Sequence, residues 1–397
     1  MAESRVLPEG VSGWHAAAAV AGAAGAALLV SKAGPALWRA LSLDAPGGIV
    51  SPLHRRIFDA TLAAQPIVQA HTMRTALLAS EPLASASGAK GVWLKLESEQ
   101  VTGSFKARGA VSALGQQLEA ARACGVATAS TGNHAKGVIR AFEGLVGFGP
   151  DTAVEVFVPA SISEAKLRVL RSTGANVRVQ ASDDCEKAEA AARAWAAESG
   201  AVFVSPYNDL LVAGGQGTVG LEIAEQAPDG LDVVLVPVGG GGLIAGVAAA
   251  LKARLPGVQV FGCQPEQNCC MRDSLLKGRI LGEGEFLNGA TLSDGTAGGI
   301  EAGSVTFEAC KELVDGWLVA TEVEILDAMA MVLRSHGKVV EGAAACAVAC
   351  ATAPRNRARF AGKNVGIVVC GGNVAPAVVV KVAQRAMEQA DEEAKTA

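Results

Sequence analysis

The chain lacks any strong excess of one charge: 34 lysines and arginines stand against 39 aspartates and glutamates, a net charge of −5 over 397 residues. Nothing in that balance points to nucleic acid or to a polyanionic partner. Its nine cysteines show no metal-type spacing, so no metal site is expected and a reducing compartment fits. Cys346 and Cys350, four apart on an expected helix, and the adjacent Cys269 and Cys270 read as packing residues. No glycine-x-glycine-x-x-glycine follows the first strand with an acid about twenty residues on, which excludes the dinucleotide fingerprint. Internal repeats are absent too. An uninterrupted run of Ala, Val, Gly and Leu over residues 16–30 falls short of the roughly 20 residues needed to span a bilayer.

The leader before that run carries Glu3, Arg5 and Glu9, unlike a basic signal or an acid-poor transit peptide. Three readings of residues 1–48 stay open: a disordered or helical appendage, an anchor giving membrane association through residues 14–31, and an atypical targeting segment. Ala45-Pro-Gly-Gly48 reads as a linker into the main body of the chain.

What the chain does have is a set of junctions between strands and helices. Thr102-Gly-Ser-Phe-Lys-Ala-Arg-Gly-Ala110 follows a strand-like run and precedes a helix that buries Ala110, Val111 and Leu114. A lysine at such a junction, Lys106, is held near a cleft where desolvation frees its amine as a nucleophile. Ala129-Ser-Thr-Gly-Asn-His-Ala135 sits where a strand ends and a helix begins, the place where open α/β sheets bind ligands. Small hydroxyls, a glycine and the first helical amides there form a carboxylate pocket or, more simply, a helix cap. A buried-strand run at 231–238 leads into Gly239-Gly-Gly-Gly242, whose bare amides suit a phosphate monoester. A last apolar strand ends in Cys370-Gly-Gly-Asn-Val374, and Cys370 beside a cofactor would be a neutral hydrogen-bond donor.

In this order, the four motifs closely resemble the pyridoxal-phosphate-dependent serine/threonine dehydratases, which share the tryptophan synthase β-chain fold and include serine racemase. The similarity runs from about Leu53 to Lys381. It implies a two-lobed, doubly wound α/β architecture of fold type II with pyridoxal 5'-phosphate as cofactor. It implies Lys106 as the Schiff-base lysine and the base for the α-proton, with the amides of Gly239, Gly240, Gly241 and Gly242 as the phosphate cradle. Asn133 would partner the ring hydroxyl and Cys370 the pyridine nitrogen. Ser130, Thr131, Gly132 and His134 would form the substrate-carboxylate loop. A thiol cannot hold a proton on the pyridine as a carboxylate would, which favours rapid β-elimination.

The alternation of segments agrees with a doubly wound fold. Expected strands cover residues 92–97, 126–130, 154–159, 176–179, 202–205, 232–238, 258–264 and 365–370. Expected helices include 162–172, 183–198, 217–226, 243–254, 322–335 and 342–353. Gly214-Gly-Gln-Gly-Thr218 reads as a strand-to-helix turn. The resemblance divides the chain into a large lobe (49–114 and 206–385), a small lobe (115–205) and a C-terminal tail (386–397), and the roughly 27 residues after Cys370 are too few for a regulatory domain.

The chain also departs from the family pattern. Racemases of this branch carry serine at the position of Thr131. Gln264 and Cys270 replace the carboxylates of relatives that bind a divalent cation, which weakens such a site. Loop Ser293-Asp-Gly-Thr-Ala-Gly-Gly299 offers no arginine for a second substrate carboxylate. The expected activity is that of an L-threonine/L-serine ammonia-lyase acting on a small amino acid, as a cytoplasmic homodimer or higher homo-oligomer. Serine racemase, a dehydratase of another 3-hydroxy amino acid, and a membrane-tethered cofactor-binding protein with little turnover are the alternatives.

Overall fold

Apolar runs rich in valine and leucine become parallel strands covered on both faces, as such runs must where helices flank a sheet. In the computed structural model, which describes residues 48–149, 153–183, 185–227 and 230–396, two sheets form. The larger holds β1 (Leu77–Ala79), β2 (Gly91–Leu96), β7 (Val233–Pro237), β8 (Gln259–Pro265), β9 (Gly316–Ala320) and β10 (Asn364–Val369). Its spatial order is β1-β2-β10-β7-β8-β9, and the smaller sheet of β3 (Val126–Ala129), β4 (Val154–Val158), β5 (Asn176–Val179) and β6 (Val202–Phe203) runs β5-β4-β3-β6. Every pairing is parallel except β1 with β2. The readings that fall on residues 1–47, among them the run at 16–30, lie outside the described residues.

All eight expected strands form, each within two residues of its expected ends. β1 and β9 were not anticipated. Both lie at sheet edges and are half-buried, whereas β7 and β10 are buried throughout.

The helices that shape the site are α1 (Pro52–His71), α2 (Lys106–Gly115), α3 (Asn133–Leu145), α4 (Cys185–Ser199), α5 (Leu210–Gln226), α6 (Gly242–Arg254) and α7 (Gly342–Thr352). One expectation is corrected here. Gly214-Gly-Gln-Gly-Thr218 is no turn but the middle of α5. Its glycines serve close packing: a Cβ on Gly215 would lie 2.5 Å from the Arg108 carbonyl oxygen, and one on Gly217 2.2 Å from Thr61 Oγ1. Such approach of backbones outweighs the roughly 1 kcal/mol that each mid-helix glycine costs relative to alanine.

Beneath α2 lies a buried charge network. Arg108 donates to both oxygens of Glu97 at 2.8 Å, and to Glu222 at 2.7 and 2.9 Å. Lys95 joins it through Glu222, Gln226 and the Thr75 carbonyl. Above this floor the strand ends of β2, β3, β7 and β10 all deliver their loops to one cleft, where ligands bind in open α/β sheets.

Candidate active site

Lys106 opens α2, and the loop before it is stitched to the loop after β10. Phe105 N–H donates to the Cys370 carbonyl at 3.1 Å, and Gly372 N–H to that of Gly103 at 2.9 Å. Ser104 and Gly371 form an isolated bridge between them. The Lys106 ammonium is surrounded by protein although part of the side chain faces the cleft, and its Nζ donates to the Pro206 carbonyl at 2.7 Å. Desolvation pushes its pKa down to about 8, with Cys370, Glu341 and Glu189 pulling the other way. An amine that gives up its proton this readily is fit for nucleophilic and base chemistry.

Ser130, Thr131 and Gly132 line the cleft at the end of β3. Ser130 Oγ accepts the Gly132 N–H at 3.1 Å, and the space where a Gly132 side chain would point is open. Asn133 then reaches across. Its Nδ2 donates to both Glu341 oxygens at 2.9 and 3.2 Å, and its Oδ1 accepts from Asn373 at 2.8 Å. Cys370 donates its thiol proton to Glu341, with Sγ 3.6 Å from Oε1. Burial pushes the Glu341 carboxyl up, and burial with Glu341 beside it pushes the Cys370 thiol far above the ordinary range. Cys370 is therefore neutral.

His134 turns inward instead. Its ring is buried with Nε2 3.0 Å from the Val204 carbonyl, which makes Nε2 the protonated nitrogen. Burial, then the Lys106 charge, depresses its pKa to about 3, so the ring is neutral, and its Nδ1 has no partner among the described residues.

The glycine loop is built to leave its amides bare. The first N–H groups of α6 have no partner within the helix, and Gly241 has φ +88°, a conformation that favours glycine. A Cβ on Gly240 would lie 2.4 Å from the Tyr207 ring, and one on Gly239 3.0 Å from the Thr296 backbone. Thr306 Oγ1 donates to the Gly240 carbonyl at 2.6 Å and fixes the loop's orientation.

Several site residues escaped the sequence reading. Glu341 is one, though it had a signal: it is the single charge between Lys338 and Arg355, directly ahead of α7, which is apolar up to Thr352. Tyr207, Glu189, Arg193 and Glu301 are others, drawn together from distant segments. Arg193 lies 2.9 Å from Glu189 and 2.8 Å from Glu301, and the Tyr207 hydroxyl accepts the Glu301 N–H at 2.9 Å.

Residues 68–371 match the family described as "Pyridoxal-phosphate dependent enzyme". The chain belongs to that family. It is 42% identical to the L-threonine ammonia-lyase of Thermotoga maritima over 302 residues, 76% of this chain and 71% of that one. The fold is similar to serine racemase from Dictyostelium discoideum, with a TM-score of 0.72, 30% identity, and coverage of 80% of this chain and 98% of that one. It is likewise similar to the processed form of threonine deaminase isoform 2 from Solanum lycopersicum, at TM-score 0.75 and 28% identity, over 85% of this chain and 90% of that one.

The residues present fit pyridoxal phosphate. The family's cofactor brings an aldehyde, a phosphate and an aromatic ring. The cleft offers an amine with lowered pKa, a loop at which any side chain would collide, and polar groups in between. The Ser104 hydroxyl beside Lys106 is buried with no partner among the described residues, which is spare hydrogen-bonding capacity where the cofactor would lie. At Gln264 and Cys270 the side chains turn to protein: Gln264 bonds the Val238 carbonyl and the Arg272 amide, and Cys270 faces Ser274 at 3.9 Å. Among the described residues no group of three or more His, Cys, Asp or Glu is arranged to hold a metal ion.

Proposed function

We propose that this pyridoxal-phosphate-dependent enzyme is an L-threonine/L-serine ammonia-lyase, converting a 3-hydroxy amino acid to a 2-oxo acid and ammonia by β-elimination. The observation that carries the reading is Lys106: a desolvated amine at a helix start, facing an anion cradle and a carboxylate loop, in a chain 42% identical to a protein named for this activity.

In this reading Lys106 would hold the cofactor and, as a free amine, would take the substrate's α-proton on Nζ. The amides of Gly239 to Gly242 hold the phosphate. Ser130, Thr131, Gly132 and the His134 backbone receive the substrate carboxylate. Asn133 orients the ring through its hydroxyl, and Cys370 meets the pyridine nitrogen with Glu341 behind it. Bound pyridoxal phosphate would supply the electron sink that lets the α-proton leave. A neutral thiol at Cys370 would not supply the charge that holds a proton on the ring nitrogen, an electronic setting that would suit β-elimination. Only Lys106 is an evident base, so inversion at the α-carbon lacks a partner on the opposite face. His134 is tied to Val204 through Nε2, and among the described residues no hydrogen bond links its ring to Thr131.

The proposal includes the division into a cofactor lobe, 49–114 with 206–385, and a smaller lobe, 115–205, which contains all four strands of the smaller sheet. It also includes a homodimer or higher homo-oligomer, for which exposed Leu276, Val323 and Met387 leave apolar surface. A cytoplasmic setting is supported by nine cysteines with no disulfide among the described residues. No helix among the described residues is long and apolar enough to cross a membrane.

The test is direct. The cofactor-loaded protein is given L-threonine or L-serine, and ammonia, 2-oxo acid and the D-enantiomer are quantified. Ammonia and 2-oxo acid are expected well ahead of D-serine. D-serine forming as fast as pyruvate assigns the chain to racemisation, and no 2-oxo acid from either substrate removes the reading.

A further inference from the structure

The chain contains a single tyrosine, and it stands between the lysine and the glycine loop. Tyr207 lies in the turn between β6 and α5, with its half-buried ring against the main hydrophobic cluster. One residue earlier, the Pro206 carbonyl accepts from Lys106 Nζ at 2.7 Å. A Cβ on Gly240 would lie 2.4, 2.5 and 2.6 Å from three carbons of the Tyr207 ring. One on Gly242 would lie 3.0 Å from the Tyr207 Cα and from its carbonyl oxygen. The loop thus runs in direct contact with this residue at two of its four glycines.

The ring is itself held in place. Its hydroxyl accepts the Glu301 N–H at 2.9 Å. Ser205 Oγ accepts the N–H groups of Tyr207 and Asn208 at 3.4 and 3.0 Å, and Asp209 caps α5 through the amides of Leu211 and Val212. Asn208 Oδ1 accepts the N–H of Val305, the first residue of the helix Val305–Leu313. From that same helix the Thr306 hydroxyl donates to the Gly240 carbonyl at 2.6 Å. Gly240 is therefore gripped from two sides, by a ring and by a hydroxyl. A cradle of bare amides binds best when they are aimed before the anion arrives. Glycine leaves those amides bare but has the freest backbone of any residue, so a run of four needs support from outside itself.

We propose that Tyr207 is a positioning residue for the cofactor's phosphate: its ring holds the amides of Gly239 to Gly242 in the shape that a phosphate monoester needs. The inference rests on the reading of residues 239–242 as the phosphate cradle and names what sets that cradle's shape. The ring carries the effect and the hydroxyl does not, because ring carbons are what a Gly240 side chain would strike.

The experiment compares two aldehydes that differ only in the phosphate, pyridoxal 5'-phosphate and pyridoxal, each titrated into full-length apoenzyme and followed by absorbance. The parent should bind the phosphorylated aldehyde at least about a hundredfold more tightly, the scale of two charge-assisted hydrogen bonds. Tyr207→Leu keeps bulk but loses the flat ring. It should lose about tenfold of that preference, one such bond, while its affinity for pyridoxal stays within about twofold. Tyr207→Phe keeps the ring and should retain the parent's preference. Tyr207→His, a smaller planar ring, should fall in between, and it is read in the same way if the leucine protein does not fold. Equal weakening of both aldehydes in the leucine or histidine protein would make the ring a packing residue only and overturn the proposal. Unchanged binding of both would overturn it too. The same selective loss in Tyr207→Phe would move the effect to the hydroxyl and its Glu301 contact, again against the proposal. A parent that binds both aldehydes alike would remove the cradle reading itself, and the role of Tyr207 with it. A preference that is present in the parent and survives loss of the ring leaves the cradle standing and removes only Tyr207.

Discussion

Lys106 and Arg108 are two cations on one turn of α2, and their surroundings could hardly differ more. Two residues of helix rotate about 200°, so Lys106 faces the cleft while Arg108 faces the floor below it. Arg108 is fully buried and held by Glu97, Glu222, Thr218 and the Met73 carbonyl. Burial works against its charge, yet the two carboxylates more than offset this and hold its pKa above the ordinary value. Lys106 has one carbonyl partner and its pKa falls. The contrast separates two uses of a charge in a dry place. A fully paired cation fixes the helix, and one without a carboxylate partner is available to react.

One substitution made at both positions would break or confirm the contrast. Lys106→Met should reduce ammonia release by at least about a thousandfold, since the base and the cofactor's attachment are both lost. Its melting temperature should hold or rise, because a desolvated charge has been replaced by an apolar chain of similar length. Arg108→Met should do the opposite to the fold. It strands Glu97 and Glu222 without their main partner, which typically destabilises by about 3–5 kcal/mol. Adding Glu97→Gln should recover part of that loss by removing one unpaired charge. Thermal melts of the three proteins read both claims, and equal destabilisation at the two positions would erase the distinction between them.

The two cations also show what can be read from sequence. Lys106 was legible because its neighbours are local: a strand before it, a helix after it, glycine loops in a fixed order. The strands β7 and β10 were legible for the same reason, being continuous apolar runs. The partners of Arg108 come from the turn after β2, from α5 and from the segment between α1 and β1, so nothing near Arg108 in the chain marks it as paired. Glu341, Glu189 and Glu301 share this handicap, since each acquires its role from a residue on another element. The glycines of α5 misled for a further reason. Local propensity reads them as a turn, but tertiary packing against α1, α2 and α6 needs the missing side chains.

The smallest expected effect is a displacement of a pH midpoint, and it tests the origin of the contrast. An amine attacks only when neutral, and an ordinary lysine reaches that state near pH 10.4. Desolvation lowers the Lys106 pKa to about 8, so the neutral form persists to lower pH. The rate at which apoenzyme captures pyridoxal phosphate, followed by absorbance, should therefore rise about tenfold per pH unit below 8 and level off above it. The fold should report the same shift. Between the ordinary lysine value and 8 the unfolded chain binds a proton that the folded one refuses, so stability drains away as pH falls through that window. Arg108→Lys, which keeps a cation in the floor, should leave the capture midpoint where it is. A midpoint near 10 in the parent would mean that water reaches Lys106 freely, and the two cations of α2 would then differ in their partners but not in their solvation.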